Sequence, residues 1–541
     1  MTVFGNTISV MSTIFLKKHK FMLVYLSAKV DEGSFLMKKD SSVFYISTGI
    51  LLLMVLFGVL VPKKLESVTA NIQAFITDTF GWYYLILVSA IVIVCLYFLI
   101  SPLGKIRLGR QDDRPEFSTL TWYAMLFSAG MGIGLVFWGT AEPISHYMVS
   151  TPTGAEAGSD QAIRDSMRFT FFHWGIHAWA IYGIVALVLA YFNFRHGKPG
   201  LISATLSPIL GERTNGAAGK VIDVISVVAT VVGVATTLGF GAVQINGGLS
   251  YLFGIPTGFV TQLFIVLIVT VLFMISAWTG LGKGIKILSN VNMILAGLLL
   301  VAMLFFGPTQ FILNLFTNTI GTYLQNLPAM SFRISPLNED IRSWINGWTI
   351  FYWAWWIAWA PFVGIFIARV SKGRTIREFV FGVLLVPSLI GFLWFSAFGG
   401  SAIMLEHDGI ASISELATEE ALFGVFANYP MSSLLSILAM ILIGTFFITS
   451  ADSGTFVLGM MTTNGSLTPG NRIKFTWGIM LAAISLVLLY SGGLQALQNT
   501  MIVAALPFSV IMALMALSLI KALNQEAKEL GIGKIPKRKS Q

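Results

Sequence analysis

Hydrophobic residues in this 541-residue chain gather into long runs separated by short polar loops. The runs fall near 43–61, 82–100, 119–138, 169–192, 221–249, 258–277, 287–306, 349–367, 380–403, 431–450, 472–490 and 500–520. Most are roughly 18–25 residues long, the length that crosses a hydrocarbon core of about 30 Å. Lipid offers the backbone no hydrogen-bond partner, so such runs read as helices. The alternating segments of a membrane barrel, about ten residues each, do not occur. The pattern predicts an all-α polytopic membrane protein of about twelve transmembrane helices. One intervening stretch, 309–346, is only half apolar. Phe311, Leu313, Leu315 and Phe316, followed by Thr319 and Asn326, suggest an amphipathic helix lying along the outer face.

Composition supports the class: apolar residues make up 55% and charged residues only 11%, where a soluble domain carries nearer a quarter charged. Cys95 is the only cysteine, and the six histidines are scattered, which excludes a disulfide framework and a Cys/His zinc spacing. The net charge of +9 would suggest nucleic acid in a soluble chain, but here it follows the loops. One set of alternate loops holds sixteen bases: Lys105, Arg107, Arg110, Arg114, Arg195, Lys198, Arg213, Lys220, Lys283, Lys286, Arg369, Lys372, Arg374, Arg377, Arg472 and Lys474. The opposite loops hold six, Lys63, Lys64, Arg164, Arg168, Arg333 and Arg342. The imbalance predicts both termini in the cytoplasm. The outer loop from Glu406 to Glu420 carries five carboxylates and no Lys or Arg.

Residues 1–42 read as a cytoplasmic tail, mildly basic at Lys17, Lys18 and Lys20 and without a secretory cleavage site. Translation from Met37 is the alternative. Residues 521–541 read as a basic, solvated tail ending in Lys534, Lys537, Arg538 and Lys539, with anionic lipid headgroups as its neighbours.

Two runs depart from ordinary membrane helices. The third reads Ser128-Ala-Gly130-Met131-Gly132-Ile133-Gly134. Glycines there serve either close helix packing or a broken helix that presents backbone groups to a ligand at mid-membrane. In the eighth, Tyr352, Trp355, Trp356 and Trp359 recur at helical spacing and form one aromatic face, after which Pro361 and Gly364 are expected to interrupt the helix. An interfacial aromatic belt needs no single face, so a ligand wall fits better. The fourth run adds Trp174, Trp179 and Tyr182, which share one arc of a continuous helix, while His173 and His177 read as satisfied polar residues near its outer end.

Scarcely any ionisable side chain is expected deep in the spans. Glu142, before Pro143, is placed at an outer helix end, and Asp452 at a cytoplasmic helix cap. An aromatic wall attracts quaternary ammonium groups, and a broken helix offers N–H groups to an anion. Together they predict a small zwitterion bearing a methylated ammonium. A membrane enzyme would need a reactive constellation that the sequence lacks, and a channel would want rings of pore carbonyls or charge.

The stretches Gly130-Met-Gly-Ile-Gly-Leu-Val-Phe-Trp-Gly-Thr-Ala-Glu142-Pro143, Trp348 to Phe362 and Ala368 to Phe379 resemble the betaine/choline/carnitine transporter family over about residues 40–520. The glycine motif is most similar to that of glycine betaine carriers. The resemblance implies a LeuT-like fold: two accessory helices (43–118), a five-helix repeat (119–306), an extracytoplasmic connector (307–348) and an inverted five-helix repeat (349–520). It implies an ammonium cage of Trp174, Trp179, Tyr182 and Trp356, a second contact at Trp359, and an access pathway past Trp355. The substrate carboxylate would face the backbone of Gly130, Met131 and Gly132. Sodium, the implied coupling ion and the only cofactor, would meet Ser128, Met131, Phe446, Thr449 and Ser450. A second sodium site would use Thr230 and Phe362. Its partner hydroxyl is replaced by Val234, so that site is lost or borrows an oxygen from Thr236 or Thr237. The implied activity is sodium-coupled uptake of glycine betaine in osmoprotection, by a homotrimer. Choline, carnitine or another methylated solute, with proton coupling, is the alternative.

Overall fold

A computed structural model describes residues 41–130, 132–279 and 282–531, and in it the hydrophobic runs are helical. Among the described residues there is no β-strand, only an isolated bridge between Arg107 and Thr375. The chain from Ser42 onward forms one compact unit. Residues 1–40 of the expected N-terminal tail, Met131, and the basic run from Lys534 to Lys539 lie outside the described residues.

Leaving short turns unnumbered, the helices are α1 (Ser42–Leu60), α2 (Pro62–Ile100), α3 (Thr119–Gly130), α4 (Ile133–Ile144), α5 (Asp160–Trp174), α6 (Ile176–Ala190), α7 (Ala217–Phe253), α8 (Phe259–Thr279) and α9 (Gly282–Phe306). There follow α10 (Thr309–Ser331), α11 (Glu339–Ile345), α12 (Phe351–Val370), α13 (Ile376–His407), α14 (Ala421–Ala427), α15 (Ser432–Met461) and α16 (Asn471–Glu529). Among the described residues, ten helices are long and apolar enough to cross a membrane, or eleven when α3 and α4, bent by 68°, count as one span. The chain is therefore a multi-pass membrane protein.

The twelve sequence runs exceed this number because the last two lie within the 59-residue α16. A straight helix of that length would reach about 90 Å, far beyond one hydrocarbon layer. It is not straight. Gly492 (φ −165°, ψ 19°) and Gly493 (φ 59°, ψ −136°) break it, and the second of these conformations is one that glycine alone enters readily. Beyond residue 521 the helix continues to Glu529, where a solvated tail was expected. Glu526 holds it there, pairing with Arg195 and accepting from Tyr191 Oη at 2.7 Å.

α10 occupies the stretch read as an amphipathic helix, but Leu313, counted among its apolar residues, is exposed. Ile312, Leu315, Thr319 and Tyr323 line its buried face, while Leu324 is exposed as well. That face packs against α5 and α13. α12 lies on α6 and also touches α3 and α7, which brings the aromatic face of the eighth run to the centre of the bundle.

Two expectations are corrected. Pro361 and Gly364 do not interrupt α12, which runs helical from Phe351 to Val370. A proline removes a single helical N–H bond, and burial of this helix against its neighbours tolerates the loss. Gly364 serves close packing instead: a Cβ there would lie 2.7 Å from Val185 Cγ1 on α6. Conversely, the fourth run is not continuous. It breaks at Gly175 (φ −94°, ψ −140°) between α5 and α6, so the common arc drawn through Trp174, Trp179 and Tyr182 does not hold.

Gly493→Ala should lower the melting temperature of the purified protein, because the strained backbone costs about 1–3 kcal/mol. Gly444→Ala, in open space inside α15, should leave it level or raise it slightly. Equal melting of the two variants would contradict the positive-φ break.

Candidate functional site

The breaks in the third and fourth runs both meet α12, through Trp355 beside Gly134 and Trp356 at the His173 carbonyl. Glycine between α3 and α4 does two jobs. It ends one helix and starts the next at Gly132 (φ −155°, ψ −138°), and it admits large rings. A Cβ on Gly130 would strike the Trp179 indole, and one on Gly134 would lie 2.7 Å from Trp355 and 3.3 Å from Trp174.

At the second break the freed backbone groups find side-chain partners. Trp356 Nε1 donates to the carbonyl of His173 at 2.9 Å, and Ile176 N donates to Tyr323 Oη at 3.3 Å. These bonds turn Trp356 toward Trp174, with ring centroids 4.9 Å apart and planes at 72°. Tyr182 meets Trp356 at 5.8 Å and 76°, and Trp179 meets Tyr182 at 5.8 Å and 79°. The four rings expected to form the cage are thus brought together although the helix carrying three of them is broken. Trp355 stacks on Trp356 at 5.0 Å and 11°.

Trp174, Tyr182, Trp355 and Trp356, with Gly130, Gly132, Thr237 and Trp359, line a cavity of about 10 Å³, while Trp179 packs behind Tyr182 and is not part of the lining. That is room for roughly one water molecule. The rings nearly fill their own cage. Trp179 Nε1, Tyr182 Oη and Trp355 Nε1 are buried without a hydrogen-bond partner among the described residues.

A second cavity of about 80 Å³ is lined by Ser128, Gly132, Asn292, Trp359, Phe362, Phe446, Thr449, Ser450 and Ser453, among others. It gathers Ser128, Phe446, Thr449 and Ser450, four of the five positions that the family resemblance assigns to sodium. The fifth, Met131, is outside the described residues. Thr449 Oγ1 donates back to the carbonyls of Thr445 (3.0 Å) or Phe446 (3.2 Å) and accepts from Asn292 Nδ2 at 3.1 Å. Gly132 and Trp359 line both cavities.

The positions of the second sodium site are not gathered in this way. Thr230 lines neither cavity; its hydroxyl bonds the Ser226 carbonyl at 2.7 Å, and Val234 is fully buried. Thr236 Oγ1 points to the Leu497 carbonyl at 3.5 Å, while Thr237, bonded to Gly233 O at 3.2 Å, borders the cage.

Glu142 lies near the end of α4 but is fully buried, with partners that the sequence does not display. Its Oε1 accepts from His173 Nδ1 at 2.7 Å and His146 Nε2 at 3.3 Å. Its Oε2 accepts from Trp174 Nε1 at 2.7 Å and Tyr352 Oη at 2.5 Å. The Glu142-Pro143 motif was visible, but nothing local announced donors from two other helices. Asp452 is no cap: it sits inside α15, 3% exposed, and accepts from Ser276 Oγ at 2.5 Å. His177, expected to be satisfied, is so at only one nitrogen: Nε2 bonds Ser331 Oγ at 3.0 Å and the ring stacks on Trp353, but Nδ1 is buried without a partner among the described residues.

Comparison with known proteins finds relatives along nearly the whole chain. A family model described as betaine/carnitine/choline family transporter matches residues 42–528. The glycine betaine transporter OpuD of Bacillus subtilis is 61% identical over 495 residues, covering 92% of this chain and 96% of its own length. A probable glycine betaine transporter of Desulfitobacterium hafniense is 46% identical, with coverage of 90% and 98%. The ectoine/hydroxyectoine transporter of Virgibacillus pantothenticus is 44% identical, with coverage of 91% and 98%.

Tyr352→Phe removes one of four donors to a buried carboxylate and should destabilise the protein by about 1–3 kcal/mol. Thermal unfolding in detergent should show a lower midpoint than for wild type. An unchanged midpoint would mean that this hydrogen bond is not formed.

Proposed function

The chain belongs to the betaine/carnitine/choline family of transporters, and from that premise we propose that it imports glycine betaine by sodium-coupled symport. It is a transporter and not an enzyme. The observation that carries the substrate reading is the ring cluster of Trp174, Trp179, Tyr182 and Trp356, together with the unpartnered donors of Trp179 and Tyr182.

Methylated ammonium donates no hydrogen bonds, so it is held by ring faces. A carboxylate needs donors, and the three orphan donors, Tyr182 and Trp355 in the cavity lining and Trp179 beside it, are of the kind it would satisfy, beside the backbone at Gly130 and Gly132. The names of two relatives carry glycine betaine and that of a third ectoine, which is also zwitterionic. Glycine betaine is therefore preferred over choline, which lacks the carboxylate.

Sodium coupling rests on the hydroxyl-lined cavity at Thr449 and Ser450. Oxygen donors suit a hard cation, and an ion there would brace α15 against the broken α3–α4 pair. In the proposed cycle the outward-facing protein takes up sodium, completes the cage and rocks between two inverted halves, 119–306 and 349–520. Coupling requires that substrate and ion bind one state better than the other. Cytoplasmic termini, a trimeric assembly and headgroup contacts of the basic tail belong to the same proposal.

Trp356→Leu should reduce uptake of labelled glycine betaine to background while surface abundance stays normal. Unchanged half-saturation would reject the cage. Replacing Na⁺ by K⁺ at constant ionic strength should likewise abolish uptake in proteoliposomes, and full activity in K⁺ would exclude sodium coupling.

A further inference from the structure

Behind the cage lies a carboxylate that the transport reading leaves unused. The donors around Glu142 come from three stretches of chain: His146 in the turn after α4, His173 and Trp174 at the end of α5, and Tyr352 on α12. An indole N–H can only donate. A neutral His173 that gives its Nδ1 proton to Glu142 accepts at Nε2 from Thr349 Oγ1, 3.0 Å away. With His146 and His173 donating alongside Trp174 and Tyr352, four donors converge on two oxygens, an arrangement that suits the ionised form. Outside this ring of donors, the Arg333 guanidinium lies over Phe169 at 4.9 Å and Trp344 at 5.5 Å, and Arg168 pairs with Asp165 at 2.6 Å.

Two of the donors belong to the aromatic wall. Trp174 is a cage ring, and Tyr352 stacks on Trp356 at 5.8 Å and 23° and on Trp355 at 6.0 Å and 17°. We propose that Glu142 is a specificity-determining residue that makes the cage prefer a cationic head over a neutral one of the same shape, acting through Trp174 and Tyr352. This rests on the betaine reading of the cage. A negative charge one hydrogen bond from an indole polarises the ring and deepens the negative potential on its face. Its direct attraction for an ammonium is also weakly screened in so dry an interior. Rings alone hold bulky methyl groups by contact area. The carboxylate adds a contribution that an uncharged head cannot use.

The test is equilibrium binding to purified full-length protein of glycine betaine and of tert-butylacetate, in which carbon replaces the ammonium nitrogen. Wild type should prefer glycine betaine by about tenfold or more. Glu142→Gln should shrink that preference by about tenfold, and Glu142→Asp, which keeps the charge, should retain most of it. A merely structural role would weaken both ligands together and leave the ratio unmoved. An unchanged ratio in the Gln variant overturns the proposal, and so does a lost preference in the Asp variant, which decides the matter if the Gln variant does not fold. Wild type that binds both ligands alike overturns this inference alone. Wild type that binds neither overturns the betaine reading as well.

Discussion

Hydrocarbon supplies no hydrogen bonds, so a helix broken inside a membrane survives only where protein groups meet its freed N–H and C=O groups. In this chain aromatic residues meet several of them. Trp356 takes the His173 carbonyl, Tyr323 takes the Ile176 amide, and Trp394 donates to Leu135 O at 3.1 Å just after the α3–α4 break. Trp359 donates to Gly233 O at 2.8 Å. The bonds to His173 and Ile176 close the backbone gap at Gly175, and all four fix the orientation of a ring. One of them, Trp356, both closes the Gly175 break and contributes a face to the cage.

That double use gives the cage its present size. With Gly130 and Gly134 admitting the rings of Trp179, Trp355 and Trp174, the enclosed space is only about 10 Å³. A solute with three methyl groups cannot enter without ring separation, and the rings are carried by α5, α6 and α12. The second cavity shares Gly132 and Trp359 with the first, so any shift of the α3–α4 break or of Trp359 alters both. Such a shared wall is a physical route by which occupancy of one cavity biases the other.

Hydrophobic run length made nearly every span legible, and helical spacing found the face of Tyr352, Trp355, Trp356 and Trp359. The glycine run at 130–134 announced its own break. Gly175 did not, since a lone glycine in an apolar run is ordinary in membrane helices, and its break depends on Trp356 and Tyr323 from distant segments. Pro361 misled in the other direction, because the cost of one missing N–H bond depends on the packing around it. The Gly492–Gly493 break lies between two hydrophobic runs that read as separate spans, whereas one continuous helix carries both. The sodium positions came from family likeness, since no hydroxyl pattern local to Thr449 and Ser450 separates an ion ligand from helix back-bonding.

Glu142 was hidden for a related reason: its partners are 4, 31, 32 and 210 residues away, so no window of sequence displays them. Burying a carboxylate is costly unless donors replace its water, and here four do. Its position behind the rings also matters. A carboxylate opening directly into the cage would keep lone pairs free for water or sodium and would compete with the solute for its own ammonium. Set one hydrogen bond back, its lone pairs are taken up by Trp174, Tyr352, His146 and His173, while its field still reaches the cavity through the polarised rings. A neutral-looking aromatic pocket can in this way carry a negative potential with no charged atom on its surface.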